Sequence, residues 1–228
     1  MDDLFADRAL RNRSLSRDDV AALVGSPQHV VDCELEALDL SGFDLTDWQF
    51  ERCNLRRADF SKAISEGTHW RSCRGPFASF SGSQLDGAKF TSSDFNNADF
   101  RRSSLANATF HGCKLTGADL ADARGMDIGF EESLLINAKL NGHVFRGRTL
   151  KRVDFSQADL RNCDFRSTIF EECQLRETLV AGARFAGADL RAADLGGLRL
   201  SDASTFRGAI ISRDQAGQLL AEFGLQVL

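Results

Sequence analysis

The chain has 228 residues, a formal net charge of −5 and 43% hydrophobic residues, enough to bury a sizeable core in one elongated domain. No apolar run approaches the roughly 18 residues of a membrane span, and residues 1–14 are too charged for a signal peptide, so a cytoplasmic address without membrane attachment is expected. His29, His69, His111 and His143 show no metal-ligand spacing, and there is no CxxC pair, phosphate-cradling glycine loop or nucleophile elbow. Neither an enzyme nor a metal or cofactor site is expected.

Residues 1–32 read as an N-terminal tail and capping helix. Ser16 is placed as N-cap, Asp18 and Asp19 supply carboxylates to the first turn, and Gly25-Ser26-Pro27 forms the stop.

Residues 33–210 carry a period of five. From Leu35 to Leu200 the residue numbers divisible by five hold Leu or Phe in 29 of 34 slots, the exceptions being Ser65, Trp70, Gly75, Gly125 and Val180. Five matches neither the helical period of 3.6 nor the strand period of 2, and marks a repeat solenoid. Two residues before each slot a second inward column holds small side chains in 27 of 34 cases, as in Ala58-Asp59-Phe60 and Ala118-Asp119-Leu120. All six cysteines lie in this column, where a reduced thiol packs as a compact apolar group; a disulfide between Cys53 and Cys73, one coil apart, is the alternative. A slower period of 20 stacks Cys33, Cys53, Cys73, Cys113 and Cys173 in one column, and Phe50, Trp70, Phe90, Phe110, Phe130 and Phe170 in another. Four units per coil give a square cross-section and, at about 4.8 Å per coil, a rod of about 40 Å.

Two stretches break the inward pattern. From Ile64 to Phe77 the slots hold Ser65, Trp70 and Gly75, followed by Pro76, yet the columns keep phase, so a distorted coil rather than a projecting loop is expected. From Asn141 to Arg152, His143 and Arg148 occupy small inward slots. The cost of burying a charge should turn Arg148 outward and deform the coil, leaving a corner distortion or a basic contact patch.

Residues 211–228 read as a C-terminal helix and short strand. Ser212-Arg213-Asp214-Gln215 is a capping-box pattern, Leu219, Leu220 and Phe223 share an apolar face, and Leu225 begins an apolar tail after Gly224. This segment either closes its own solenoid or pairs with a second copy through Leu219, Leu220, Phe223 and Leu225.

The run of Ala-Asp-Leu and Ala-Asp-Phe units resembles the pentapeptide repeat family over about residues 33–210. The resemblance implies an all-β solenoid, a right-handed quadrilateral β-helix with four repeats per coil and short terminal helices. The ending Gly208-Ala209-Ile210, Gln215-Ala216, Leu219, Leu220 and Gly224-Leu225 is similar to that of the Qnr and MfpA type of topoisomerase-protection proteins. That similarity implies a homodimer joined through the C-terminal end. It also implies a DNA-mimicking rod that binds DNA gyrase or topoisomerase IV, rather than nucleic acid itself, and shields it from quinolones or peptide toxins.

The local candidate for such contact is an acidic row recurring once per coil: Asp39, Asp59, Asp99, Asp119 and Asp159. Asp at this unit position also suits a hydrogen bond to the adjacent turn. Summed over the whole repeat, each of the four faces is close to charge-balanced. The alternative is therefore a non-enzymatic pentapeptide repeat scaffold or interaction protein with another partner.

Overall fold

The computed structural model describes residues 9–196, 200–221 and 224–226. Two compact units divide after Leu134. The first contains β1 (Leu10–Arg11), α1 (Arg17–Ala21), β2 (His29–Val31), β3 (Gln49–Glu51), β4 (His69–Arg71), β5 (Lys89–Thr91), β6 (Thr109–His111) and β7 (Gly129–Glu131). The second contains β8 (Thr149–Lys151), β9 (Ile169–Gln174), β10 (Asp189–Asp194), a 3-10 helix (Leu200–Phe206) and α2 (Arg213–Ala221). Consecutive strands within each unit pair in parallel, and from β2 to β7 the register never slips, setting Phe50 against Trp70 and Phe90 against Phe110. The coil is therefore four pentapeptides long. The fold is the quadrilateral β-helix, with its strands on one of four walls.

We label the walls by their inward residues in the first unit: wall a by Leu55 and Phe95, wall b by Phe60 and Phe80, wall c by Leu45 and Leu85, and wall d by Phe50 and Phe90. On walls a, b and c the pentapeptide typically bends where the small inward residue donates to the carbonyl of the large one three residues earlier, as from Ala58 to Leu55 (2.9 Å), whereas on wall d the Cys73 and Cys113 N–H groups donate to the Ser93 and Ser133 hydroxyls of the next coil. The residue before the small one takes a left-handed φ, even as Arg57 (57°) or Lys62 (58°). That conformation costs an ordinary residue about 1 kcal/mol. The N–H thereby turned toward the next coil is bonded there, as from Arg57 to the Pro76 carbonyl (3.1 Å). Bonds of this kind offset the strain.

Parallel pairing begins ahead of the repeat pattern, since β1 already pairs with β2 and Leu15 is buried. Helix α1 has the expected N-cap: Ser16 Oγ accepts from the Asp19 N–H, and Asp19 accepts from the Ser16 N–H. The helix is held on the coil by buried Val20 and by Arg17, which donates to the carbonyls of Asp39 and Ser41 and lies 4.4 Å from the Phe43 ring centre.

Like stacks on like in the core. In the first unit Phe50, Trp70, Phe90, Phe110 and Phe130 form a parallel ladder with ring centres 4.2–5.8 Å apart. Phe60, Phe80 and Phe100 form another on wall b, edge-on to the first. In the second unit Phe145, Phe165 and Phe185 stack at 5.1 and 4.9 Å, and Phe206 of the 3-10 helix adds a further ring at 4.5 Å. The step from Phe185 to Phe206 is one residue longer than the regular coil, as is the pairing of Asp189 with Ile210, so a single extra residue is absorbed before the C-terminal helix. All six cysteines are free and buried. Desolvation pushes the Cys113 and Cys173 thiols up to about 11 and Cys163 to about 12. These three pack as inert filler.

The expected distortion at residues 64–77 is absent: the bridges of Ile64 to Gln84 and of Arg74 to Asp94 continue unbroken. Volume compensation explains the odd residues. Trp70 donates from its indole N–H to Thr68 Oγ1 (2.9 Å), which in turn donates to the Ser65 carbonyl (2.7 Å), placing the large ring beside the small Ser65 slot. The Phe95 ring fills the slot at Gly75, lying where a Cβ on Gly75 would come within 2.4 Å of it. At the second break Arg148 is exposed, as its charge requires, but the backbone keeps its bonds on both sides. The real irregularity is at Gly125, whose φ of 147° and close approach to the Ala106 backbone admit no side chain.

Gly75→Leu, although it restores the repeat, is expected to cost about 1–3 kcal/mol through overpacking against Phe95. Chemical denaturation of Gly75→Leu, Phe95→Leu and the double variant checks this. The double variant should recover part of the loss, whereas additive losses would show that Phe95 and position 75 do not share volume.

Candidate protein-interaction surface

The outward residue before each large inward one is the position of the acidic row. Asp39, Asp59, Asp99 and Asp119 lie in one column on wall b of the first unit, with Ser79 between the two pairs. Asp159, at the same position of the repeat in the second unit, is bridged to Lys139 and Leu179. Each carboxylate accepts the backbone N–H two residues on: Ser41 (2.9 Å), Ser61 (2.8 Å), Arg101 (2.9 Å), Ala121 (3.0 Å) and Arg161 (3.2 Å). Asp44, Asp94, Asp154, Asp164, Asp189 and Asp194 do the same elsewhere. Outside the strands this N–H has no backbone acceptor among the described residues, which explains both the Asp and why Pro76 is accommodated at the same position.

Much of the row's charge is also neutralised. Arg17 pairs with Asp39 at 2.8 Å, and Arg101 and Arg161 pair with Asp99 and Asp159 at 2.6 Å. Hydrogen bonds from Ser41, then the Arg17 charge, hold Asp39 below the usual carboxylate range; the Arg161 guanidinium holds Asp159 there. Asp-x-Arg pairs recur at Asp164–Arg166 and Asp189–Arg191.

Wall c differs. In the first unit it carries Asp44, Asp47, Glu66 and Asp86 on three successive coils, and among the described residues none of these is ion-paired. A cavity of about 220 Å³ opens beside them, lined by Gly25, Ser26, Pro27, Asp44, Thr46, Asp47 and Trp48. It is smaller than typical small-molecule sites. Among the described residues no group of three or more His, Cys, Asp or Glu is placed to hold a metal ion. Among them, too, no helix is long and apolar enough to cross a membrane.

At the C-terminal end the capping box forms as expected: the Ser212 N–H donates to Gln215 Oε1 (2.7 Å), and the Gln215 N–H to Ser212 Oγ (3.1 Å). The residue of α2 buried on the coil is Gln215, whose amide donates to the carbonyls of Leu190 (2.8 Å) and Ala193 (2.7 Å). Leu219 is half-buried, whereas Leu220, Leu225 and Ile210 are 41%, 55% and 48% exposed. Phe223 lies outside the described residues. Periodicity identified the leucines, but only the capping pattern pointed to Gln215, and nothing in the sequence marked it as the anchor.

A parallel β-solenoid with inert inner columns and patterned outer walls defines a class of repeat protein. The pentapeptide-repeat pattern matches in eight copies over residues 33–64, 53–91, 83–122, 130–166 and 168–204, and the chain belongs to the pentapeptide repeat family. A sequence comparison with curated proteins finds no match. Among solved structures, trypsin-treated QnrB1, a plasmid-mediated fluoroquinolone resistance protein, is similar at 20% identity and a TM-score of 0.57, over 96% of this chain and 99% of that one. Full-length QnrB1 is similar at 18% identity and a TM-score of 0.58, over 95% and 97%. HetL, a pentapeptide repeat protein involved in heterocyst differentiation regulation from the cyanobacterium Nostoc, is 22% identical over 81% and 86%, at a TM-score of 0.43.

Asp59→Asn keeps an oxygen for the Ser61 N–H and is expected to leave stability nearly unchanged, while Asp59→Ala should cost about 0.5–1.5 kcal/mol. Thermal denaturation of both variants separates the turn role from the charge; equal losses would exclude the turn role.

Proposed function

We propose that this protein is a non-enzymatic binding protein that engages DNA gyrase or topoisomerase IV through its coil walls and protects the enzyme from quinolones or other topoisomerase poisons. The observation that carries the reading is the similarity to QnrB1 over 96% of this chain. An enzyme surface that attracts phosphates attracts carboxylates presented at regular spacing, quickly and with strong salt dependence. Here that attraction is modest, because Arg17, Arg101 and Arg161 neutralise part of the acidic row.

The same neutralisation favours a second reading, a scaffold or interaction protein with a different partner. A supercoiling assay with purified gyrase, with and without a fluoroquinolone, separates the two. The first reading expects altered supercoiling or rescue from the drug at micromolar protein, weakened in an Asp59→Asn, Asp119→Asn variant of unchanged stability. No effect and no rescue would remove it.

The C-terminal end supports a homodimer as part of this reading. Gln215 is the residue of α2 buried on the coil, and Leu220 and Leu225 remain exposed to meet a second copy; pairing of that end with itself would be isologous. Leu220→Asp, Leu225→Asp is expected to halve the mass measured by light scattering. An unchanged mass would show that α2 only caps the coil.

A further inference from the structure

The second unit has its own wall built on Phe145, Phe165 and Phe185, whose outward positions hold Val144, Arg146, Asp164, Arg166 and Arg184. Asp164 is almost completely buried, its side chain 5% exposed, and it holds two guanidinium groups in place: Arg166 at 2.6 Å and Arg184 at 3.0 Å. The Arg166 hydrogen bond, more than any other interaction, holds this carboxyl below its usual range. One carboxylate against two arginines leaves an excess of positive charge, and the two side chains remain 34% and 56% exposed. Arg146 is exposed and has no ion-pair partner among the described residues. Val144, 63% exposed, supplies an apolar centre. The patch is preorganised, because the fixed guanidiniums lose little side-chain freedom when a partner arrives.

We propose that this basic wall docks a second copy of the chain through the acidic wall c of the partner's first unit. Three features select that occupant. Asp44, Asp47, Glu66 and Asp86 are carboxylates of successive coils on the first unit's wall c, and none of the four is spent on an ion pair among the described residues. They surround half-buried Ile64, which bridges to Asp44 and suits the exposed Val144. Both patches are also built on the same repeat, so their charges advance at the same rise of about 4.8 Å per coil and can meet one for one. No such match of spacing is built into a nucleic acid backbone. The contact is heterologous, distinct from pairing through the C-terminal end, and does not rest on topoisomerase binding.

The experiment is a charge-swap cycle on the full chain, followed by sedimentation velocity. The two variants are Arg146→Glu, Arg184→Glu and Asp47→Lys, Glu66→Lys, each checked for an unchanged denaturation curve; Arg146→Gln, Arg184→Gln serves as the milder version. The wild-type chain should self-associate reversibly, weakening about tenfold or more as NaCl rises from about 50 mM to about 500 mM. Each reversed variant alone should lose this association, and mixing the two should restore it. Failure of the mixture to associate, or reversed variants that associate like wild type, would overturn the proposal. So would binding of a fluorescent DNA duplex that is lost with Arg146→Glu, Arg184→Glu while self-association persists.

Discussion

The inter-coil hydrogen-bond ladder is the constraint on which the rest of the molecule depends. Because pairing is parallel and, from β2 to β7, in unbroken register, each side chain rests on its counterpart in the adjacent coil. Inside, this favours identity, since aromatic rings stack flat and small groups leave no void. Outside, it penalises identity of charge. Two carboxylates at roughly coil spacing repel by about 1 kcal/mol even in water. The Asp-x-Arg unit answers that penalty locally: the carboxylate takes the exposed N–H of its own turn, and the arginine two residues on neutralises it, as at Asp99, Asp159, Asp164 and Asp189.

The acidic row of wall b is accordingly a structural device first. Asp39 and Asp59 would sit there in a protein with no partner at all, because a turn N–H needs them. Wall c of the first unit is different: among the described residues Asp47 and Glu66 cap no turn and form no ion pair, and carboxylates without such duties are the ones available to a partner. The distinction between the two walls depends on where each carboxylate's hydrogen bonds go, not on how many carboxylates a wall carries.

Much of this architecture was legible in the sequence. The Cys and Phe columns revealed the coil length because stacking demands like residues at that spacing. The Ser65, Trp70 and Gly75 slots looked like damage when judged singly, but Trp70 reaches through Thr68 to the small Ser65 slot, and the Phe95 ring fills the place of a side chain at Gly75. Gly125 looked like one more exception, although its φ of 147° marks the true irregularity. The face charges appeared balanced because an acidic stretch of the first unit and a basic stretch of the second were added together, and only the division after Leu134 separates them.

The sequence by itself determined the coil: a period of five, four walls, a buried ladder of rings and thiols, and capped helices at both ends, all consequences of local periodicity and capping chemistry. Only the tertiary structure decided which charged groups are spent and which are left over. Whether a carboxylate is neutralised depends on atoms brought to it from a neighbouring coil, as Arg17 is brought to Asp39 and Arg184 to Asp164. For the same reason it decided that Gln215, reaching back to the Leu190 and Ala193 carbonyls of the coil beneath it, anchors the C-terminal helix while Leu220 stays exposed.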